Sequence, residues 1–384
     1  MRFNSSIKGK VAKPTAESAS GIHSLNNVNI ARKDDAWYIP FLYPFAVNQI
    51  LPFSVSRSIT DSAGSSAHRT GPSQAEVRGW LSGTSNGGPN WGYSTYVDVP
   101  VQGYQRWTVG YQGVYEISAK GAGGGGTDTN PEFHRGRGQI ATARFNLSVG
   151  DQVIIVVGQG APDYTGDHCN GAGGGSFVAL GSNYTTAIPL LVGAGASGDT
   201  SDGAGNDPSI ISTSRTVTDP SGNSHTGLTT TPVQLAASNY GTWGYSYVPS
   251  SGSTQNTVGG GFWGSSPTTG STYQHGETFS EGLVGGTRSN DTAGYGGFGG
   301  GSGGFDEKGN SAGGFTTGES ADGPASAAGG WINTGHSKYN SVVGDAFSLK
   351  PETITGTSTN VPFQSSDYSS EEQLNGSVTV KRIS

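Results

Sequence analysis

Glycine clusters set the narrowest limits on what this chain can fold into. They fall at 121–126, 171–175, 193–198, 259–264, 296–304, 313–314 and 329–330, within a total of 66 glycines, more than twice the usual share of ~7%. A glycine run is ordinarily a flexible linker. It has one ordered alternative. In a polyproline-II-like conformation the run turns once every three residues, makes no internal hydrogen bonds and points its N–H and C=O groups to all sides. Neighbouring runs can then satisfy those groups, and without Cβ atoms they approach closely. Ordering glycine is entropically costly, so such an array needs many chains and a flanking β-core. Several clusters carry an aromatic directly after a glycine pair: Phe262, Phe298, Phe305, Phe315 and Trp331. That favours packing over linkers.

The flanking strands are readable. Val114, Glu116 and Ser118 alternate with Tyr115, Ile117 and Ala119, a half-buried strand pattern. Gln139 to Leu147 reads as a second strand and 152–157 as a third, buried one, with Val149-Gly150-Asp151 as a hairpin turn between them. Segments 176–180 and 190–192 follow, and Asn375-Gly376 opens a closing strand over 377–383. The expected fold is mainly β, a sandwich-like framework with packed polyglycine-II helices. The uneven spacing of the glycine–aromatic units argues against a fixed-period solenoid.

Upstream, the chain divides into a polar lead-in over 1–39, a short β-rich and loop region over 40–103, and the glycine-rich domain over 104–384. In the lead-in, Leu25, Val28 and Ala31 recur at helical spacing behind Ser24, a plausible N-cap, which predicts one short helix. Charged residues are 13% and the net charge is −7, with a pI near 5.5. No basic footprint for nucleic acid is present. The single cysteine, Cys169, leaves no internal disulfide framework. No apolar run is long enough to cross a bilayer and none follows Met1 as a secretory segment. We therefore expect no membrane insertion, and a protein made in the cytoplasm or released without a cleavable signal.

From Tyr104 onward the order of elements resembles the glycine-rich domain of the anaplastic lymphoma and leukocyte tyrosine kinase receptors, relatives of which occur in bacterial and phage proteins. The residues that carry this likeness are Tyr104–Val109, Gly113–Gly124, Gly136-Arg137-Gly138, Phe145–Leu147, Val149–Gln152, Ile155–Gly160, then Gly173–Ser176, Leu190–Gly195 and Asn375–Val380. The resemblance implies recognition or assembly without catalysis. We expect none of the receptors' signal peptide, membrane helix or kinase domain here. Gly21–Val28, followed by Ala31-Arg32-Lys33 and Trp37, resembles a short segment near the start of tailed-phage virion proteins, tail-fibre proteins among them. Together these imply a virion protein acting as a tail-fibre or tail-tip adhesin. Ile22, Leu25, Val28 and Trp37 would anchor it to other virion proteins, and the glycine-rich domain would meet a host surface glycan or protein. The alternative is a capsid-decorating or tail-scaffold protein without a receptor role. Analogy with fibres suggests a homotrimer.

Other motifs point to ordinary loops. Gly193-x-Gly195-x-x-Gly198 has dinucleotide-binding spacing after a strand, but that chemistry needs a helix next, and 199–203 reads as loop; no cofactor is expected. Asp199, Asp202 and Asp207 match no EF-hand and read as solvated loop carboxylates, though they could offer oxygens to Ca²⁺. Asp167, His168 and Cys169 are adjacent but would need further partners for metal or nucleophile chemistry. His134, His225, His275 and His336 form no legible pair with a carboxylate, so no catalytic residue and no metal ligand is assigned. The stretch 199–258 reads as a long loop, and such loops are often functional. Its Tyr240, Trp243, Tyr245 and Tyr247, with Trp263 and Tyr273 beyond, are the candidate recognition surface, or else a cover over the glycine core.

Overall fold

The computed structural model describes residues 50–53, 66–81, 97–126, 135–162, 169–200, 205–234, 242–246, 257–266, 274–288, 294–304, 309–320, 325–341, 346–348 and 375–384. By its contacts the chain divides into Met1–Ala46 and Val47–Ser384, and every described residue lies in the second unit. The lead-in helix expected after Ser24 lies outside the described residues. The region 40–103, expected as a segment of its own, supplies two strands to the main sheets.

In chain order the described strands are β1 Ile50–Phe53, β2 Val97–Val101, β3 Tyr104–Thr108, β4 Gly113–Lys120, β5 Ile140–Leu147 and β6 Gln152–Val156. They continue with β7 Ser176–Leu180, β8 Ile188–Gly193, β9 Ser212–Thr218, β10 Ser224–Thr230, β11 Val233–Gln234 and β12 Thr257–Val258. Last come β13 Glu319–Ser320, β14 Ser326–Ala327, β15 Trp331–Ile332, β16 Ala346–Ser348 and β17 Ser377–Arg382. One sheet has the order β1-β17-β4-β5-β16, the other β2-β3-β6-β7-β8-β15-β10-β9, and all pairings are antiparallel. Helix α1, Gln74–Leu81, starts on a capping box: Ser73 N–H donates to Glu76 Oε2 (2.6 Å) and Glu76 N–H to Ser73 Oγ (3.3 Å).

The two sheets pack face to face through β4 and β5 against β7, β8 and β15. Alternation on β4 buries Tyr115, Ile117 and Ala119, as the sequence pattern requires, and the register sets them beside Phe145, Ala143 and Ala141 of β5. Trp107 meets Tyr115 edge-on across the layer at 5.5 Å. The closing strand β17 is an inner strand, pairing with both β1 and β4.

One expectation fails here. Gly150 does turn the chain, with φ +86 and the Asp151 N–H on the Ser148 carbonyl at 3.1 Å. Yet β5 and β6 belong to different sheets, so 148–151 is a corner between layers and not a hairpin. β5 alternates apolar with polar residues and β6 is a nearly unbroken apolar run, patterns that a hairpin within one sheet would also show, which is why local pattern did not separate the two.

Beyond one end of the sandwich, strands run straight into glycine segments: β4 into 121–126, β6 into 157–162 and β8 into 194–199, while 135–139 and 169–175 lead into β5 and β7. Their hydrogen bonds repeat every third residue. Gly121 and Gly124 donate to Gln139 and Gly136 (2.9 and 3.2 Å), and Ala122 and Gly125 donate to Gly174 and Gly171 (2.9 and 3.0 Å). The Ala122 and Gly125 carbonyls accept from Ala196 and Asp199 (3.0 and 3.1 Å). A strand would alternate between two neighbours; three neighbours met at a period of three is the polyglycine-II arrangement. A Cβ on Gly121, Gly124, Gly138, Gly174 or Gly195 would lie well under 3.0 Å from a backbone carbonyl of the adjoining segment. Alanine appears where the array has room: Ala172, Ala194, Ala312 and Ala328 form a small buried cluster of their own.

The outer face of the eight-stranded sheet is covered by a third, glycine-rich layer. Its aromatics Phe262, Trp263, Phe279, Phe298 and Phe315 form a core with Trp331 of β15 and with Tyr104, Ile154, Val156, Phe177 and Val192 of the sheet. Phe262 stacks on Phe279 and Phe315 on Trp331, each pair at 4.4 Å.

Candidate functional site

The described part of the expected recognition surface lies against the β9–β10 hairpin. This hairpin occupies much of the stretch read as a long loop. Its sequence signal is the run Ser212–Thr218, rich in β-branched residues, followed by the turn Asp219–Asn223 with Gly222 at φ +87.

Gly244 builds the site. Its φ of +90 turns the chain between Trp243 and Tyr245, and a Cβ there would strike the Trp263 ring. Its carbonyl accepts from the Phe262 and Trp263 N–H groups (3.1 and 2.8 Å), and its own N–H donates to Thr316 Oγ1 (2.8 Å). Tyr245 and Trp263 rings then meet at 5.8 Å, and the Tyr245 hydroxyl donates to the Thr218 carbonyl at 3.1 Å. Burial raises the Tyr245 hydroxyl pKa, and the nearby Asp219 charge adds to it. The Arg215 guanidinium sits over the Trp243 ring, 5.2 Å from its centroid. Trp243 and Tyr245 are half-buried against the aromatic core, while the flanking hairpin positions 211–216 are exposed.

Trp263 departs from the expectation. It is 6% exposed and belongs to the core, so it supports the patch from below and presents no surface of its own. Tyr240, Tyr247 and Tyr273 lie outside the described residues, as do the anchoring candidates Ile22, Leu25, Val28 and Trp37.

A His–carboxylate pair does exist. His225 Nε2 lies 3.0 Å from Asp219 Oδ2, and its ring stacks on Trp263 at 5.6 Å. The two residues are six apart across the turn, a spacing that becomes legible only once the hairpin is known. Burial pushes the Asp219 carboxyl up, but donors from the Asn223 side chain, His225, and the Asn223 and Ser221 N–H groups outweigh it and hold the pKa at about 2. Nearby, burial lowers His336, with Lys338 and His225 adding to the effect and Asp151 opposing it. His275 is buried and accepts from the Val258 N–H (3.1 Å). His134 lies outside the described residues.

The other sequence candidates resolve into array contacts. Gly195 N–H donates to the Gly313 carbonyl (2.9 Å) and Gly198 N–H to Asn310 Oδ1 (2.8 Å), so neither is offered to a pyrophosphate. Asp199 is 1% exposed and accepts from Asn170 Nδ2 at 2.6 Å, which overturns its reading as a solvated carboxylate. Asp207 accepts from the Arg137 N–H and Nε (2.6 and 3.1 Å). Asp202, Asp167 and His168 lie outside the described residues, and Cys169 is buried. Among the described residues no three His, Cys, Asp or Glu side chains gather as a metal site would require. No helix among them is long and apolar enough to cross a membrane. Comparison of the chain with protein-family models and with curated proteins finds no match.

Proposed function

We propose that this chain is a tailed-phage virion protein that acts as a tail-fibre or tail-tip adhesin and binds a glycan or protein of the host surface. The observation that carries the reading is the Trp243–Tyr245 pair: two aromatics, half-buried, beside Arg215 on an exposed hairpin and fixed from behind by Trp263 and Gly244. Rings held this way offer an apolar face with a polar edge and lose little conformational entropy on binding. The polyglycine array supports the same reading, because it backs the surface with a body whose backbone groups bond to one another across many segments. Labelling intact particles by immunogold electron microscopy tests it. Label at tail fibres or tail tip is expected; label over the head would favour the capsid-decorating role, and particles without label would remove the virion reading.

A further inference from the structure

The two main sheets have four edge strands, and three of them are guarded against pairing. β1 contains Pro52, β2 contains Pro100 and a register shift between Asp98 and Val101, and β16 has three residues. β9 is different. It has seven residues, Ser-Thr-Ser-Arg-Thr-Val-Thr, with no proline and no bulge, and it lies at the end of the eight-stranded sheet. Just before it stand Ile210 and Ile211, 50% and 77% exposed, two of the four exposed large apolar side chains among the described residues.

The free edge groups can be identified. Asp219 N–H bonds to the Asn223 carbonyl across the turn (2.9 Å), and bonded pairs alternate along an antiparallel ladder. Val217, Arg215 and Thr213 therefore bond toward β10, while Thr218, Thr216, Ser214 and Ser212 point their N–H and C=O groups outward. The Thr218 carbonyl follows this pattern, since it accepts from Tyr245 at the outer edge. No described strand pairs with the outward groups of Ser212, Ser214 and Thr216.

We propose that two copies of this chain join through β9, antiparallel, about a two-fold axis at Ser214. Chemistry selects that register. Centring on Arg215 would set two guanidinium groups directly opposite each other, which destabilises a cross-strand pair. Centring on Ser214 sets Arg215 opposite Thr213 and uses the three outward residues other than Thr218, Ser214 against itself and Ser212 against Thr216. It also lays the exposed Ile211 of each copy beside Val217 of the other. Centring on Ser212 or on Thr216 shortens the overlap or meets the carbonyl that Tyr245 already holds. A two-fold contact of this kind is closed and self-complementary. It yields a dimer, unlike the trimer suggested by analogy with fibres, and it does not depend on the adhesin reading.

Sedimentation of the full chain over a range of concentrations reads the state directly. A dimer is expected, and Ser214→Pro, which deletes one outward N–H and leaves the β10 ladder its bonds, is expected to sediment as a monomer with an unchanged circular dichroism spectrum. Ser214→Cys supplies a readout that does not depend on that variant folding. A hydrogen-bonded cross-strand pair has its Cα atoms about 5.5 Å apart, within disulfide reach, and the native Cys169 is buried. Ser214→Cys should form a disulfide-linked dimer under mild oxidation much faster than Ser212→Cys, whose counterpart is Thr216. A monomer at every concentration, a trimer indifferent to Ser214→Pro, or equal cross-linking of the two cysteine variants would overturn the proposal.

Discussion

At the scale of single residues, two kinds of glycine separate. Gly174 sits where a Cβ would lie well under 3.0 Å from the Phe298 carbonyl, and Gly138 meets the Gly121 carbonyl in the same way. Both obstacles are backbone held in the array, so neither can swing aside. Gly150 has nothing within 4 Å of its Cβ position and is required only for its φ of +86. We expect Gly174→Ala and Gly138→Ala each to cost more than about 3 kcal/mol, the upper range for overpacking. Gly150→Ala should cost about 1–2 kcal/mol, the left-handed penalty alone. Denaturant midpoints of the three variants check the order, and equal losses would refute a close-packed array. Asp219 offers a test with pH. Its folded pKa of about 2 lies below the ordinary 3.8, so its contribution is complete above about pH 4 and lost as pH falls toward 2. Asp219→Asn should therefore be less stable than the parent at pH 7, with the gap closing between about pH 4 and pH 2 in thermal melts.

At the scale of elements, strands whose burial alternates were legible because alternation is local. β4 shows this: Tyr115, Ile117 and Ala119 stand out against polar neighbours. The closing strand was legible for the same reason, and the run 152–157 as a nearly unbroken apolar stretch. What sequence left hidden depends on distant partners. The chain at 148–151 carries a good turn signal, yet whether a turn joins strands in one sheet or two is decided by the layer each strand faces. β9 has weak alternation because nearly all of it is exposed, so the run looked like loop. The pair His225 and Asp219 stayed hidden with it. Helix α1 was missed although Ser73 and Glu76 spell a capping box, a signal that is local and could have been read. Ser73→Ala should cost about 1 kcal/mol, seen as a lower urea midpoint at unchanged slope. A larger loss would mean that the helix end carries contacts beyond its cap.

At the scale of the whole described unit, a glycine-rich chain with few charges and a modest apolar fraction solves its stability problem in two ways. Inter-segment backbone bonds replace side-chain packing inside the array, and a single aromatic layer is concentrated on one sheet face. Phe262, stacked on Phe279 and edge-on to Trp263 (5.3 Å), is central to that layer. Truncating a buried Phe to Ala costs about 3–5 kcal/mol, so Phe262→Ala should destabilise the fold and lose binding with it. Trp243 and Tyr245 stand at the margin of the same layer, half-buried, and the adhesin reading requires them to act outward. Replacing both by Ala should reduce adsorption of the purified chain to host cells at least tenfold while the melting temperature falls much less than in Phe262→Ala. If adsorption and stability fall together in both variants, the two rings are cover for the core, as the sequence also allowed. If adsorption is unchanged with both rings gone, the binding surface lies elsewhere on the chain.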